Sequence, residues 1–250
     1  MPGNNHYCAV ASNYETAFFY ETGAYQDHVV AAVGAALRLD SPRLAFADVG
    51  GGTGHVTSAL AVAAALALPP LVVDPSAAML ASASARGLHV LECDALAFAA
   101  APDGEPFDRI LLKEVVHHVP DAQHAALFAG LAARLRPGGR LLVVTRPQEV
   151  DYPLWGAARA VWKANQPGEA HLMTAMAAAG LVPCRDEAVY RAQLPAERWH
   201  AMVRARFWST FSAFTDDELE EGVAELRAQS GNADTLTFTD TLLLLGGDKA

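Results

Sequence analysis

The chain reads as an α/β protein built on a parallel sheet, and three observations lead there. Apolar runs alternate with stretches of helical pattern along the chain, the order in which helices cover a sheet between successive strands. Hydrophobic residues make up 52% of 250 residues, so one large domain or two small ones can bury a sizeable core without staples. The third is "DVGGGTGHVTSAL", which begins at Asp48 directly after the apolar "LAF" and passes from strand to helix through four glycines, Gly50, Gly51, Gly52 and Gly54.

The elements follow in order. Strands are predicted at about 44–49, 71–74, 88–92, 107–112 and 139–145, with helices at about 54–67, 76–86 and 121–135. Ser76 is placed to cap the helix of "PSAAML". Pro137-Gly138-Gly139 in "LRPGGRLLVV" turns a helix end into the fifth strand. A sixth strand is expected near 181–191 and a last one at 235–246 in "TLTFTDTLLLLGG". Between them, "FTDDELEEGVAELRAQ" opens with Thr215 and Glu218 in capping-box register. Residues 44–145 form the repeating core. The segment 1–40, rich in aromatics ("NYETAFFYETGAYQ"), is expected to be a helical lid of the same domain, and 146–230 a cap of insertions. Loops at the carboxyl ends of strands are where ligands sit in such sheets.

Composition excludes several partners. The net charge is −10 with no Lys/Arg run, whereas a nucleic-acid footprint needs a basic stripe. Cys8, Cys93 and Cys184 are odd in number and widely spaced, so a reducing, cytoplasmic setting is expected rather than a disulfide framework. No Lys or Arg and no long apolar core occurs in the first 30 residues, so no signal peptide is expected. The most apolar run, "ALAVAAALALPPLVV", is broken by Pro69-Pro70 after about ten residues, too short for a bilayer.

A glycine-rich strand-to-helix turn offers free N–H groups and the positive helix end to a ligand. A phosphate-binding P-loop would close on Gly-Lys-Ser/Thr, and this turn reads Gly54-His55-Val56. A dinucleotide turn needs a glycine at its sixth position, where His55 stands. What remains is Asp48-x-Gly50-x-Gly52-x-Gly54, which resembles motif I of the class I S-adenosylmethionine-dependent methyltransferases. Asp74 at the end of the second strand, Asp94 in "LECDALAF", the strand "FDRILLKEVVHHV" and "LRPGGRLLVV" follow in that family's order. The chain is similar to its small-molecule (type 11) group.

The resemblance implies a doubly wound, Rossmann-like sheet of seven strands with the last antiparallel, and helical cap elements. It implies S-adenosyl-L-methionine as cofactor, held by Asp48, Gly50, Gly51, Gly52 and Gly54. Asp74, with Pro75 and Met79 beside it, would take the ribose hydroxyls. Asp94 and the N–H of Ala95 would take the adenine. Lys113, Glu114 and Tyr20 complete the expected cofactor contacts. "KEVV" stands where nucleic-acid amino methyltransferases carry Asn/Asp-Pro-Pro-aromatic, which again disfavours a nucleobase substrate. The cysteine pattern of arsenite methyltransferases is not reproduced.

The expected reaction is in-line methyl transfer to N, O, S or C of a small molecule by a monomer or homodimer. An NAD(P)-dependent oxidoreductase and a non-catalytic adenosyl-binding subunit stand as alternatives. His117 and His118 are candidates for a general base, since imidazole titrates near neutrality. Their other reading is a capping or adenine-side role without chemistry. His117 is the preferred one, and Tyr14 is the third catalytic candidate. For the substrate, Arg146 would hold a carboxylate, or else pair with Glu149 or Asp151. Tyr152, Trp155, Asn165 and Gln166 are further substrate candidates, although for any single aromatic among them helix core is the preferred reading. No metal set is expected, because His117, His118 and His124 lack the spacing of zinc ligands.

Overall fold

The structure, a computed structural model, describes residues 23–101 and 104–250. Seven strands form one sheet: β1 (Phe46–Val49), β2 (Leu71–Asp74), β3 (His89–Glu92), β4 (Phe107–Lys113), β5 (Leu135–Thr145), β6 (Leu181–Pro195) and β7 (Thr235–Lys249). Their order is β3-β2-β1-β4-β5-β7-β6. Strands β1 to β5 pair in parallel, and β7 runs antiparallel to both β5 and β6. This is the expected doubly wound sheet with an antiparallel last strand.

Alternation along the central strands fills two layers. Leu111, Leu142 and Val144 enter one core, while Ile110, Leu112, Leu141 and Val143 enter the other. Side chains of successive strand residues point to opposite faces, so a strand apolar at every position is covered on both. The first layer is closed by α1 (Ala24–Leu37), α2 (His55–Ala63), α6 (Gly156–Asn165), α8 (Ala196–Arg204) and α9 (Asp216–Gln229). The second is closed by α4 (Ala95–Ala100), α5 (His124–Ala133) and α7 (Glu169–Ala178). Helix α3 (Ala77–Ala85) packs Leu80 and Ala83 on Val72 and Leu88. Among the described residues no helix is long and apolar enough to cross a membrane.

Several boundaries differ from the sequence expectation for local reasons. Helix α2 stops at Ala63 rather than near 67, because Ala65 takes a left-handed φ of 48°. The helix expected at 121–135 enters through a 3₁₀ turn at 121–123 and ends at Ala133. Pro137-Gly138-Gly139 lies inside β5 instead of before it. Phe107 pairs with Leu135 and Arg109 with Arg140, so the extra β5 residues bulge out, with Gly138 at φ +76°. Strands β6 and β7 pair from Leu181–Lys249 to Pro195–Thr235, each longer at its carboxyl end than expected. Residues 24–37, expected within a lid, form α1, whose Tyr25, Val29, Val33 and Leu37 are packed into the core. The capping box at Thr215 and the Ser76 cap are present.

The strand order reverses between β1 and β4, with Asp48 in register with Val72 on one side and Leu111 on the other. In open α/β sheets the crevice outside the carboxyl ends at such a reversal is where ligands bind. The glycine turn leaves β1 there, and Lys113-Glu114 leave β4 there.

Candidate active site

The four glycines of the turn serve different ends. A Cβ on Gly50 would lie 2.3 Å from Val115 Cγ2, one on Gly51 2.7 Å from Asp48 Oδ2, and one on Gly54 2.4 Å from Leu88 Cδ1. These three are small because the protein itself fills the space. Gly52 differs: its φ is +56° and a Cβ would meet nothing within 4 Å. It is the residue of the turn that faces open space, and Gly54 behind it starts α2 without any side-chain cap.

Two carboxylates brace this turn. The Gly52 N–H donates to Asp74 Oδ2 at 3.0 Å, and the Ser76 N–H to Asp74 Oδ1 at 2.9 Å. The half-buried Asp74 carboxylate is therefore held by two amides with lone pairs left for hydroxyl donors. Its pKa is raised, with desolvation outweighing those two hydrogen bonds. Asp48 is 3% exposed and lies beneath the turn, accepting the Thr57 hydroxyl on Oδ2. Burial pushes its carboxyl up to about 6, against the pull of Thr57 and of the Lys113 charge. Asp48 thus supports the loop from below. Asp94 spends Oδ1 on the Ala97 N–H at 2.8 Å, capping α4. Pro75 is exposed, and Met79 is buried with its N–H on Ser76 Oγ.

At the end of β4 the chain bends sharply. Glu114 has a left-handed φ of +59° while its N–H donates to Val144 O at 2.9 Å. The 3₁₀ turn 116–118 follows. His118 is exposed, whereas His117 is half-buried, with its Nδ1 enclosed and without a hydrogen-bond partner. Desolvation lowers the His117 pKa, helped by the charges of Arg146 and Lys113 and opposed by Glu114. Desolvation thus favours the neutral imidazole over the charged one.

His117 lines a hollow with Glu114, Arg146, Asn165 and Gln166, whose other walls are Trp162, Phe207, Trp208, Ser209 and Thr210. Four residues expected from sequence at 114–118 and 165–166 thus meet in one place. The buried Gln166 Oε1 is a second polar atom there without a partner.

Three substrate assignments change. Arg146 is buried and saturated: Nε reaches Asp240 Oδ1 at 3.0 Å, Nη2 reaches Asp240 Oδ2 at 3.2 Å, and Nη1 lies 2.7 Å from Glu114 Oε1. It does not pair with Glu149, which holds Lys163, or with Asp151, which accepts the Thr239 N–H. Tyr152 is core, its hydroxyl on Asp240 and its ring against Trp162, Trp199, Trp208 and Phe238. Trp155 is core too, stacked on Phe211 and lying where Gly222 leaves room. Tyr14 and Tyr20 lie outside the described residues.

Sequence reading missed Asp240 and Tyr25. Tyr25 donates to Asp240 Oδ2 at 2.6 Å and accepts from Arg146 Nη2 at 3.2 Å. The signal was there: Asp240 is an acid in the middle of the apolar run "TLTFTDTLLLL", and an acid on a buried strand needs a partner.

Comparisons with known proteins agree with the fold. The methyltransferase domain family matches residues 46–139. A solved geranyl diphosphate C-methyltransferase from Streptomyces coelicolor A3(2) is 15% identical, with 92% of this chain and 81% of that chain covered at a TM-score of 0.58. A geranyl diphosphate methyltransferase in complex with SAM is 16% identical and covers 100% of this chain and 93% of its own at 0.59. Magnesium protoporphyrin IX methyltransferase from Synechocystis PCC 6803 is 17% identical, with 90% and 78% covered at 0.50. At these identities the likeness is one of fold. No curated protein sequence matches closely enough to count as a relative. The glycine turn and Asp74 stand at the strand reversal, residues 46–139, from β1 into β5, match the methyltransferase domain family, and the sheet has the fold of the class I S-adenosylmethionine-dependent methyltransferases.

Proposed function

We propose that the chain moves the methyl group of S-adenosyl-L-methionine onto a small-molecule acceptor seated beside His117. The observation that carries this reading is the half-buried His117, whose enclosed Nδ1 has no partner, in a hollow at the carboxyl end of β4. The cradle next to it fits the cofactor: Gly52 leaves open space, and Asp74 is a braced acceptor for two ribose hydroxyls. The Ala95 N–H, at the start of α4, is available to the adenine side.

When bound, the cofactor would supply a methyl group activated by its bond to a sulfonium, which would leave as the neutral thioether S-adenosylhomocysteine once an acceptor lone pair had taken the methyl carbon in line. The chain's own part is alignment and exclusion of water. Trp162 and Trp208 wall the acceptor, Gln166 Oε1 accepts a hydrogen bond from it, and His117 takes its proton. An acceptor with an O–H or N–H on an apolar or flat body suits such a lining. A diphosphate acceptor like that of the geranyl diphosphate enzymes suits it poorly. Among the described residues of the hollow the one Arg, Arg146, is already committed to Asp240 and Glu114. The acidic net charge of −10 supports a small molecule over a nucleic acid. The free thiols of Cys93 and Cys184 support a reducing compartment such as the cytoplasm. A monomer or homodimer is part of the same reading.

Calorimetric titration with S-adenosylhomocysteine, and with NAD⁺ in parallel, is the first test. Saturable binding of the former alone is expected, and binding of NAD⁺ alone would overturn the assignment. With an acceptor found by screening, His117→Ala is expected to lower turnover about 10²–10⁴-fold with S-adenosylhomocysteine affinity unchanged. Because the His117 pKa is lowered, wild-type activity should persist with falling pH until below the ordinary histidine range. An unaffected rate in His117→Ala returns that residue to a structural role.

A further inference from the structure

We propose that Asp121, His124 and His171 form a binding site for a divalent transition-metal ion of the zinc type, behind the turn that carries His117. A carboxylate oxygen of Asp121, Nδ1 of His124 and Nε2 of His171 all lie within 4.8 Å of one another. The donors come from three places in the fold: the 3₁₀ turn 121–123, the first residue of α5, and the first turn of α7. Spacing along the chain shows His117, His118 and His124 only; His171 arrives from 47 residues away.

The geometry assigns the protons. His124 is fully buried, and its Nε2 sits 2.9 Å from the Val116 carbonyl oxygen. A carbonyl only accepts, so Nε2 carries the hydrogen and Nδ1 presents a lone pair towards His171 Nε2, 3.0 Å away. An imidazole whose other nitrogen donates to a backbone carbonyl is the usual state of a metal-ligating histidine. His171 and Asp121 are exposed and free to adjust. In the His171 ring a shift of the proton from Nε2 to Nδ1 frees the second ligand atom at no change of charge.

Distances fit as well. Tetrahedral zinc with bonds of about 2.0–2.1 Å sets neighbouring ligand atoms about 3.3–3.4 Å apart. The separations here are 3.0 Å between the two histidines and 3.8 Å from Asp121 Oδ1 to His124 Nδ1. Two imidazoles and a carboxylate suit zinc and its neighbours rather than calcium or magnesium. Three protein ligands leave a position for water. A bound ion ties the start of α5 to α7 and, through His124 Nε2–H, steadies Val116 beside His117.

The test uses the full chain with Zn²⁺, and with Co²⁺ as a spectroscopic probe. One equivalent is expected to bind, Co²⁺ giving the intense visible bands of a tetrahedral site, and Zn²⁺ raising the unfolding midpoint by about 2–4 °C or more. The variant His171→Ala removes an exposed ligand without touching the core. It should keep its fold while losing at least about tenfold in affinity and the midpoint rise; Asp121→Asn should lose part of both. Absence of saturable binding to the wild-type chain, or equal binding by His171→Ala, overturns the site.

Discussion

The two walls of the crevice are built in different ways. On the β1–β2 side the contacts are short in sequence: Thr57 to Asp48 spans 9 residues and Gly52 to Asp74 spans 22. Asp74 keeps acceptor capacity, and Gly52 faces open space. On the β5–β7 side the contacts are long. Tyr152 reaches Asp240 across 88 residues, Arg146 across 94 and Tyr25 across 215. There the charges are consumed by one another. The first wall leaves polar groups for a ligand, and the second uses them to join α1, β5 and β7.

This contrast is broken most directly at Asp240. Burial alone would raise its carboxyl, but Arg146 and the two tyrosines hold it below the usual range, and Arg146 in turn lies well above its own. Removing one partner of such a pair leaves a buried charge. Asp240→Asn is expected to cost about 3–5 kcal/mol in urea unfolding. The double variant Arg146→Met, Asp240→Leu should lose less than the sum of its parts. A loss under about 1 kcal/mol for Asp240→Asn would mean the network contributes little.

Asp48, on the first wall, sharpens the comparison because it has no cation of its own in contact. Its carboxyl is raised from 3.8 to about 6 by burial, so the folded chain holds that proton longer than the unfolded one. The resulting stability is fully present below about pH 4 and is lost as pH rises through about 6. Two units at 1.36 kcal/mol each make this about 3 kcal/mol. In Asp48→Asn that decline between pH 4 and 6 should vanish from the stability profile. A profile identical to wild type would show that Asp48 is solvated in solution.

The glycines give the most local effects. Gly50→Ala places a methyl on Val115 at φ +78° and should cost stability by about 1–3 kcal/mol beyond the strain of its backbone. Gly52→Ala should cost only that strain, about 1–2 kcal/mol, yet weaken S-adenosylhomocysteine binding more than Gly50→Ala does. Equal affinity in Gly52→Ala and wild type would remove Gly52 from the cradle.

What was legible follows the same division. The glycine turn and the brace from Asp74 are legible because each is held by neighbours close in sequence. Arg146 stands out in the sequence as a charge at a strand end, but its partners do not, since Glu149 and Asp151 are near in sequence and Asp240 is near only in space. Tyr152 and Trp155 looked like site residues for a related reason. Tyr152 and Trp155 stand just before α6 rather than on its face, and an aromatic beyond a strand end looks the same in sequence whether it meets a substrate or Trp208, Phe211 and Phe238.

The sequence by itself determined the alternation of strands and helices, the turn that must be glycine, and the acid that follows the second strand. These rest on backbone conformation and on hydrogen bonds within a few residues. Only the tertiary structure decided which charges are spent and which are left over. Pairing a buried ion depends on distance through a low-dielectric interior, and that distance is set by how β7 lies against β5, not by any spacing along the chain.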